Sequence, residues 1–321
     1  MSTKMSYVLA HRLSNLLEGK SFESWCEDTI DDLTPNVIPI NLEHYFPKRK
    51  IEEILINTTL SFPARLIKTD YCFKIEINKD FDWANNKEYR FIVAHEIAHT
   101  FQFTFKNGLI LDKAFFLSGS KEAEYFSNRI ARSILVPRKI VYSLIKKIPK
   151  IDHFYFSLKE FQNLSRLFNV QYSHFLQRLI NDLEIVQHVA IFHFIKQNEN
   201  NLWHLSGRFL SNEYNTDKKY FVPYANKDKA STDLTRLPSC DKKLCMYLDE
   251  LMEDKTILDE SRILAPKNKV NHKPLTTFFK NFEQDFFQNV YILKQQSPYG
   301  ASINMMFCLT SQQPIALTLA F

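Results

Sequence analysis

Glycine is scarce in this chain. Gly19, Gly108, Gly119, Gly207 and Gly300 are the only five in 321 residues. No two are spaced for G-x-G-x-x-G or G-x-x-x-x-G-K, so a dinucleotide fingerprint and a phosphate-cradling loop are both excluded. Cysteine is also sparse. The five present are odd in number and scattered, which argues against a disulfide framework and for a reducing, cytoplasmic location. No stretch approaches about 18 uninterrupted apolar residues, so no transmembrane helix and no membrane partner are expected. Residues 1–30 lack a basic start, an apolar block and a small-residue cleavage site, so no signal peptide is read. A large charge of one sign is missing too. The net charge of +5 does not by itself point to nucleic acid or a membrane surface. What remains is 45% apolar and 24% charged, the composition of an ordinary globular chain with enough length for about two domains.

In residues 1–60, Pro35, Pro39 and Pro47 punctuate loops and bar one long helix. Phe73-Lys74-Ile75-Glu76-Ile77 alternates apolar and polar, which predicts a half-buried strand. Asn85 and Glu88 have capping-box spacing and open a helix whose pattern runs to an Asn107-Gly108 stop. A second helix is predicted over about 120–135, ended by Val136-Pro137. Ser157-Leu158-Lys159-Glu160 is another capping box, for a helix to about Phe168. A turn at Asn169-Val170 and an amphipathic helix over 173–183 follow. Beyond about 187 the texture changes. Strands are predicted over 189–194, 302–309 and 315–321, helices near 244–254 and 275–289, and a polar loop region over 211–245. The expected organisation is an α+β chain with a domain over 1–150, a helix-turn-helix-like segment over 151–186 and a mixed α/β domain over 187–321.

The sharpest feature is His95-Glu96-Ile97-Ala98-His99. With ten histidines and nineteen glutamates, composition alone would give H-E-x-x-H roughly 0.02 times in such a chain. At about 100° per residue, the three polar side chains fall within one arc of the helix. Both imidazoles can reach one metal ion, with Glu96 beside it rather than on it. The apolar neighbours Phe91, Ile92, Val93, Ala94 and Phe101 predict burial, and buried histidines with a buried acid are costly without a partner. A divalent cation supplies one. A catalytic zinc takes a third protein ligand and keeps a position for water. The second helix offers Glu124 on a small, polar face with Ser127, Asn128 and Ala131, which allows close approach to the first helix. Asn128, one turn on, can hydrogen-bond a ligand imidazole and fix its orientation. Glu122 is the rival ligand, but it shares its side of the helix with Phe126 and has no polar support.

Arg90-Phe91-Ile92-Val93-Ala94-His95-Glu96-Ile97-Ala98-His99 resembles the active-site helix of the ImmA/IrrE-type metallopeptidases. So does Glu124-x-x-Ser127-Asn128-x-Ile130-Ala131-x-x-Ile134-Leu135-Val136-Pro137. Ser127, Ile130, Ile134 and Val136 depart from that family's usual Ala, Phe, Leu and Met, and Ala98 stands where Gly is common. The resemblance is strong over about 70–140. It implies a zincin-like core, His95, His99 and Glu124 as zinc ligands, and Glu96 as catalytic acid and base. It further implies an endopeptidase that cleaves a helix-turn-helix repressor or antitoxin in a stress, mobile-element or defence response. His2Glu ligation also suits manganese or iron.

Tyr125 and His153 are the candidates for a donor to the tetrahedral oxyanion, and neither spacing nor motif selects between them. In the helix-turn-helix-like segment, His174, Gln177 and Arg178 could face DNA. Three basic residues stand there against four acidic ones, Asp152, Glu160, Asp182 and Glu184. Because DNA affinity comes largely from phosphate neutralisation, that partner is disfavoured against a packed helical pair. Residues 187–321, at net +2 (16 basic, 14 acidic), fit a sensory or a substrate-docking module. Cys240 and Cys245, with four residues between them and no second pair nearby, fall short of a zinc site. His188, His193 and His204 read as structural, as do the Phe pairs at 115–116, 278–279 and 286–287. The alternative function is a non-proteolytic, metal-containing regulator that binds DNA or a protein. Glu96 discriminates, since a structural metal has no use for an acid beside an open position.

Overall fold

The computed structural model describes residues 22–78, 83–106, 108–112, 121–147, 158–186, 189–197, 202–210, 240–254, 261–264, 287–297 and 300–309. The chain is a mixed helix–strand protein of α+β type and divides into two compact units. Unit 1 comprises Met1–Pro149 and Leu164–Arg178; unit 2 comprises Lys150–Asn163 and Leu179–Phe321. The segment 151–186 is therefore shared between the units rather than standing as a body of its own.

Unit 1 opens with α1 (Phe22–Leu33) and two short 3-10 turns, Leu42–Tyr45 and Pro47–Arg49. Strands β1 (Ile51–Ile56), β2 (Ala64–Lys68) and β3 (Phe73–Ile77) follow, then α2 (Lys87–His99). The sheet order is β1-β3-β2, with β3 parallel to β1 and antiparallel to β2. The predicted alternation of β3 is visible in its burial: Phe73, Ile75 and Ile77 are inside. Hairpin β4 (Phe103–Lys106) and β5 (Leu109–Asp112) comes next, then α3 (Lys121–Leu135) and α4 (Arg138–Lys147). Pro137 separates the two helices, as expected of a residue that cannot continue the helical ladder. α5 (Leu158–Leu167) closes on a Schellman stop. There the Val170 amide donates to the Ser165 carbonyl and the Asn169 amide to that of Arg166, both at 3.0 Å, with Asn169 at φ 53°. α6 (Tyr172–Gln177) continues into a π turn, Arg178–Asp182.

α2 packs on α3 and on β2. The contact face of α2 is small and apolar at Ala94 and Ala98, and that of α3 is small at Ser127 and Ala131; all four are fully buried. Small side chains let two helices approach closely, which brings the polar groups between them within reach of one another.

Unit 2 carries β6 (Val189–Gln197), β7 (Trp203–Leu210), α7 (Lys242–Glu253), β8 (Ser261–Leu264), β9 (Phe287–Ser297) and β10 (Gly300–Leu309). These strands form an antiparallel sheet in the order β7-β6-β10-β9-β8. One face holds Phe192, Phe194, Trp203, Ile292, Ile303 and Met305 in a core with Leu244, Leu248 and Leu251 of α7. Asp241 caps α7 by accepting the Leu244 amide at 2.8 Å.

Three sequence readings need correction. The helix expected to run to Asn107-Gly108 ends at His99 and gives way to the β4–β5 hairpin. Phe103 packs on Phe73 with ring centroids 5.1 Å apart, and the Arg49 guanidinium lies 4.2 Å over Phe101 and 4.8 Å over Phe105. Tertiary contacts of alternate aromatics thus select a strand, and Gly108 at φ 82° serves the hairpin connection rather than a helix stop. The α2 cap is Asn86, one residue after the expected Asn85. Where the description resumes at 287, residues assigned to a helix over 275–289 lie in β9. The expected strand over 315–321 and the Phe pairs at 115–116 and 278–279 fall outside the described residues, as does the 286–287 pair at side-chain level.

Candidate metal centre

The N-terminus of α2 is fixed twice. Asn86 Oδ1 accepts the amides of Glu88 and Tyr89 at 3.0 and 3.2 Å. The buried Arg90 guanidinium donates to the carbonyls of Ile40, Ala84 and Asn169 at 2.8, 3.1 and 3.2 Å. Val93, Ala94, Ile97 and Ala98 have no exposed surface, so the helix cannot rotate without opening the core. His95 and His99, one turn apart, are thereby held facing α3.

Glu124 on α3 meets them. Its Oε2 lies 3.1 Å from His95 Nε2 and its Oε1 3.7 Å from His99 Nε2, while the two Nε2 atoms are 3.0 Å apart. Donors held at ~2.0–2.1 Å from a tetrahedral zinc are about 3.3 Å apart, so the observed separations bracket the required ones. His95, His99 and Glu124 could hold a metal ion, and they form the only such group of three or more His, Cys, Asp or Glu among the described residues. The chemistry of the donors points the same way. His95 Nδ1 sits 3.0 Å from Asn128 Oδ1, an acceptor, which assigns the proton to Nδ1 and leaves Nε2 with a bare lone pair. Two imidazole nitrogens at 3.0 Å are tolerated only with a proton or a cation between them. Burial holds the pKa of His95 below its ordinary value against the pull of Glu124 and Asn128. Burial, reinforced by His95 and opposed by Glu124, pushes that of His99 down to about 4. Neutral rings are the form that binds a metal.

Glu96 is buried beside this trio and outside it. Burial first, and the nearby Glu124 second, push its pKa up to about 7, against a hydrogen bond from the Leu66 backbone N–H. Leu66 lies on β2, which pairs with β3 alone among the described residues and so forms an edge of its sheet.

The residues singled out in the sequence divide clearly. His95, Glu96, His99, Glu124 and Asn128 come together. Tyr125 is 67% exposed, turned from the centre by the helical step that brings Glu124 in. His153, His188 and the side chain of Glu122 lie outside the described residues. In α6 and beyond, the trio weighed for DNA contact is turned to the interior of unit 1. Arg178 is fully buried on Glu27, Gln177 Oε1 accepts from Arg132 at 3.2 Å, and His174 stacks on Phe91 at 3.6 Å. In unit 2, His193 Nδ1 is 2.8 Å from Ser206 Oγ. Cys240 and Cys245 are free and flank the α7 cap, with Cys245 Sγ 3.5 Å from the Cys240 carbonyl. Two polar partners of the centre went unread in the sequence. Gln102 and Ser127 surround His99 Nδ1 at 3.2 and 3.1 Å. Gln102 stands one turn after His99, and that spacing was its only signal. No helix among the described residues is long and apolar enough to cross a membrane. No protein-family model and no curated protein matches the chain, so the reading of this centre rests on its distances and donor chemistry.

Proposed function

We propose that the chain is a zinc-dependent endopeptidase with a zincin-like core, and that His95, His99, Glu124 and Glu96 form its catalytic centre. One observation carries the reading: two imidazoles and a carboxylate from separate helices lie 3.0–3.7 Å from one another, with a buried carboxyl group beside them. His95, His99 and Glu124 would hold the ion. When bound, zinc lowers the pKa of a coordinated water and polarises a carbonyl group. Glu96 takes the proton of the attacking water and hands it to the departing amine. Asn128 keeps the His95 ring in its ligating orientation. The edge of β2 that has no partner strand among the described residues, alongside α2, offers backbone groups to which an extended peptide can add as a further strand. The substrate we propose is a helix-turn-helix repressor or antitoxin, cleaved in the cytoplasm during a stress, mobile-element or defence response. This part follows the family resemblance of the two helical motifs.

The test is co-expression with such a regulator, with and without chelator, in the wild type and two variants. Glu96→Gln should keep one equivalent of zinc and lose cleavage, whereas His99→Ala should lose both. Full proteolysis by Glu96→Gln would overturn the assignment.

A further inference from the structure

The two ligand imidazoles are held by different chemistry. His95 Nδ1 faces a lone acceptor, Asn128 Oδ1, at 3.0 Å. His99 Nδ1 faces two groups: Ser127 Oγ at 3.1 Å and Gln102 Nε2 at 3.2 Å. These two touch each other as well, Gln102 Nε2 donating to Ser127 Oγ at 3.1 Å. Ser127 is fully buried.

A primary amide nitrogen only donates, whereas a hydroxyl oxygen accepts through two lone pairs. The triangle therefore admits two arrangements. In one, His99 Nδ1–H and a Gln102 N–H both donate to Ser127 Oγ, and Nε2 is bare and directed at the centre. In the other, Gln102 donates to a bare Nδ1, and the ring proton moves to Nε2. That second form cannot ligate, because the nitrogen facing the metal carries a hydrogen. Ser127 is the group that makes the first arrangement available. Without its oxygen, Nδ1–H loses its acceptor unless the Gln102 amide turns to present Oε1.

We propose that Ser127 is a positioning residue that sets the ligating tautomer of His99 by accepting from its Nδ1–H. The inference rests on the metal-centre reading and deepens it. It concerns this chain's own residue, since Ser127 is a departure from the alanine of the family that the motif resembles.

The experiment measures zinc affinity of the full chain by competition with a chromophoric chelator, with folding checked by circular dichroism. Ser127→Ala should bind zinc about 10–100-fold more weakly, the usual effect of losing a hydrogen-bond partner of a ligand histidine. Ser127→Thr, which keeps the hydroxyl, should stay near the wild type. The double variant Gln102→Ala/Ser127→Ala, which also removes the amide whose Oε1 can turn to Nδ1–H, should bind no more tightly than the single variant. Equal affinity of Ser127→Ala and wild type, or a double variant tighter than the single one, would overturn the proposal with the metal centre intact. A wild type that takes up no zinc would instead overturn the metal centre itself, and this inference with it.

Discussion

Replacing Glu27 by leucine should lower the stability of unit 1 by about 3–5 kcal/mol, the usual cost of stranding one member of a buried ion pair. Arg178 has no exposed surface, and its Nη1 and Nη2 donate to the two Glu27 oxygens at 2.7 and 2.8 Å. Its Nε donates to the Val136 carbonyl at 3.0 Å, and Ser133 Oγ donates to Glu27 at 2.6 Å. Leucine fills most of the space but takes away both charged acceptors, leaving the guanidinium one carbonyl. Against a whole-domain stability of about 5–15 kcal/mol, the loss is a fifth or more. Combining Glu27→Leu with Arg178→Met removes the stranded charge and should regain most of it. The pH dependence has a definite sign. Burial raises the Glu27 pKa, but the Arg178 charge and hydrogen bonds, with help from Ser133 and Arg138, hold it below its ordinary 4.5 overall. The folded value lies below the unfolded one, so the unfolded chain binds more protons between them. The contribution is complete above 4.5 and is lost as pH falls through the folded value. Peptide-level hydrogen exchange in increasing urea reads α1 and α3 separately from unit 2. A loss under about 1 kcal/mol, or a double variant no more stable than the single one, would refute the reasoning.

Other outcomes follow from the same geometry. Asn128→Ala frees the His95 ring and should weaken zinc binding about 10–100-fold in the chelator competition, with unit 1 still folded. Burial pushes the pKa of His193 down to about 4 from its ordinary 6.5, so the unfolded chain binds the proton first. Unit 2 should therefore hold its stability above 6.5 and lose it as pH falls toward 4, and His193→Gln should flatten that slope in thermal melts. A slope unchanged by the substitution would assign it to other groups.

The centre was legible because its chemistry is local. H-E-x-x-H sits on one helix, and the choice of Glu124 over Glu122 follows from a face whose Ser127 and Ala131 are small enough to pack tightly. The end of α2 was illegible for a physical reason. Phe101 and Phe105 satisfy a helical i, i+4 pattern as well as an alternating one. Only Arg49 and Phe73, distant in sequence, decide between them. Arg178 was legible only in part: the charge balance of its segment disfavoured a phosphate contact, but nothing local named the group that holds it. A basic residue on a short helix looks like a phosphate contact until its partner, 151 positions away, is known.

The bond from the Leu66 amide to Glu96 has a practical corollary for anyone seeking an inert form that traps its target. An alanine at 96 would strip that amide of its acceptor on a strand that pairs with β3 alone among the described residues, widening an edge to which other strands can add. Glutamine retains an oxygen in the same spot. On the proposed reading it silences the proton shuttle while leaving that amide its partner, which makes it the safer bait.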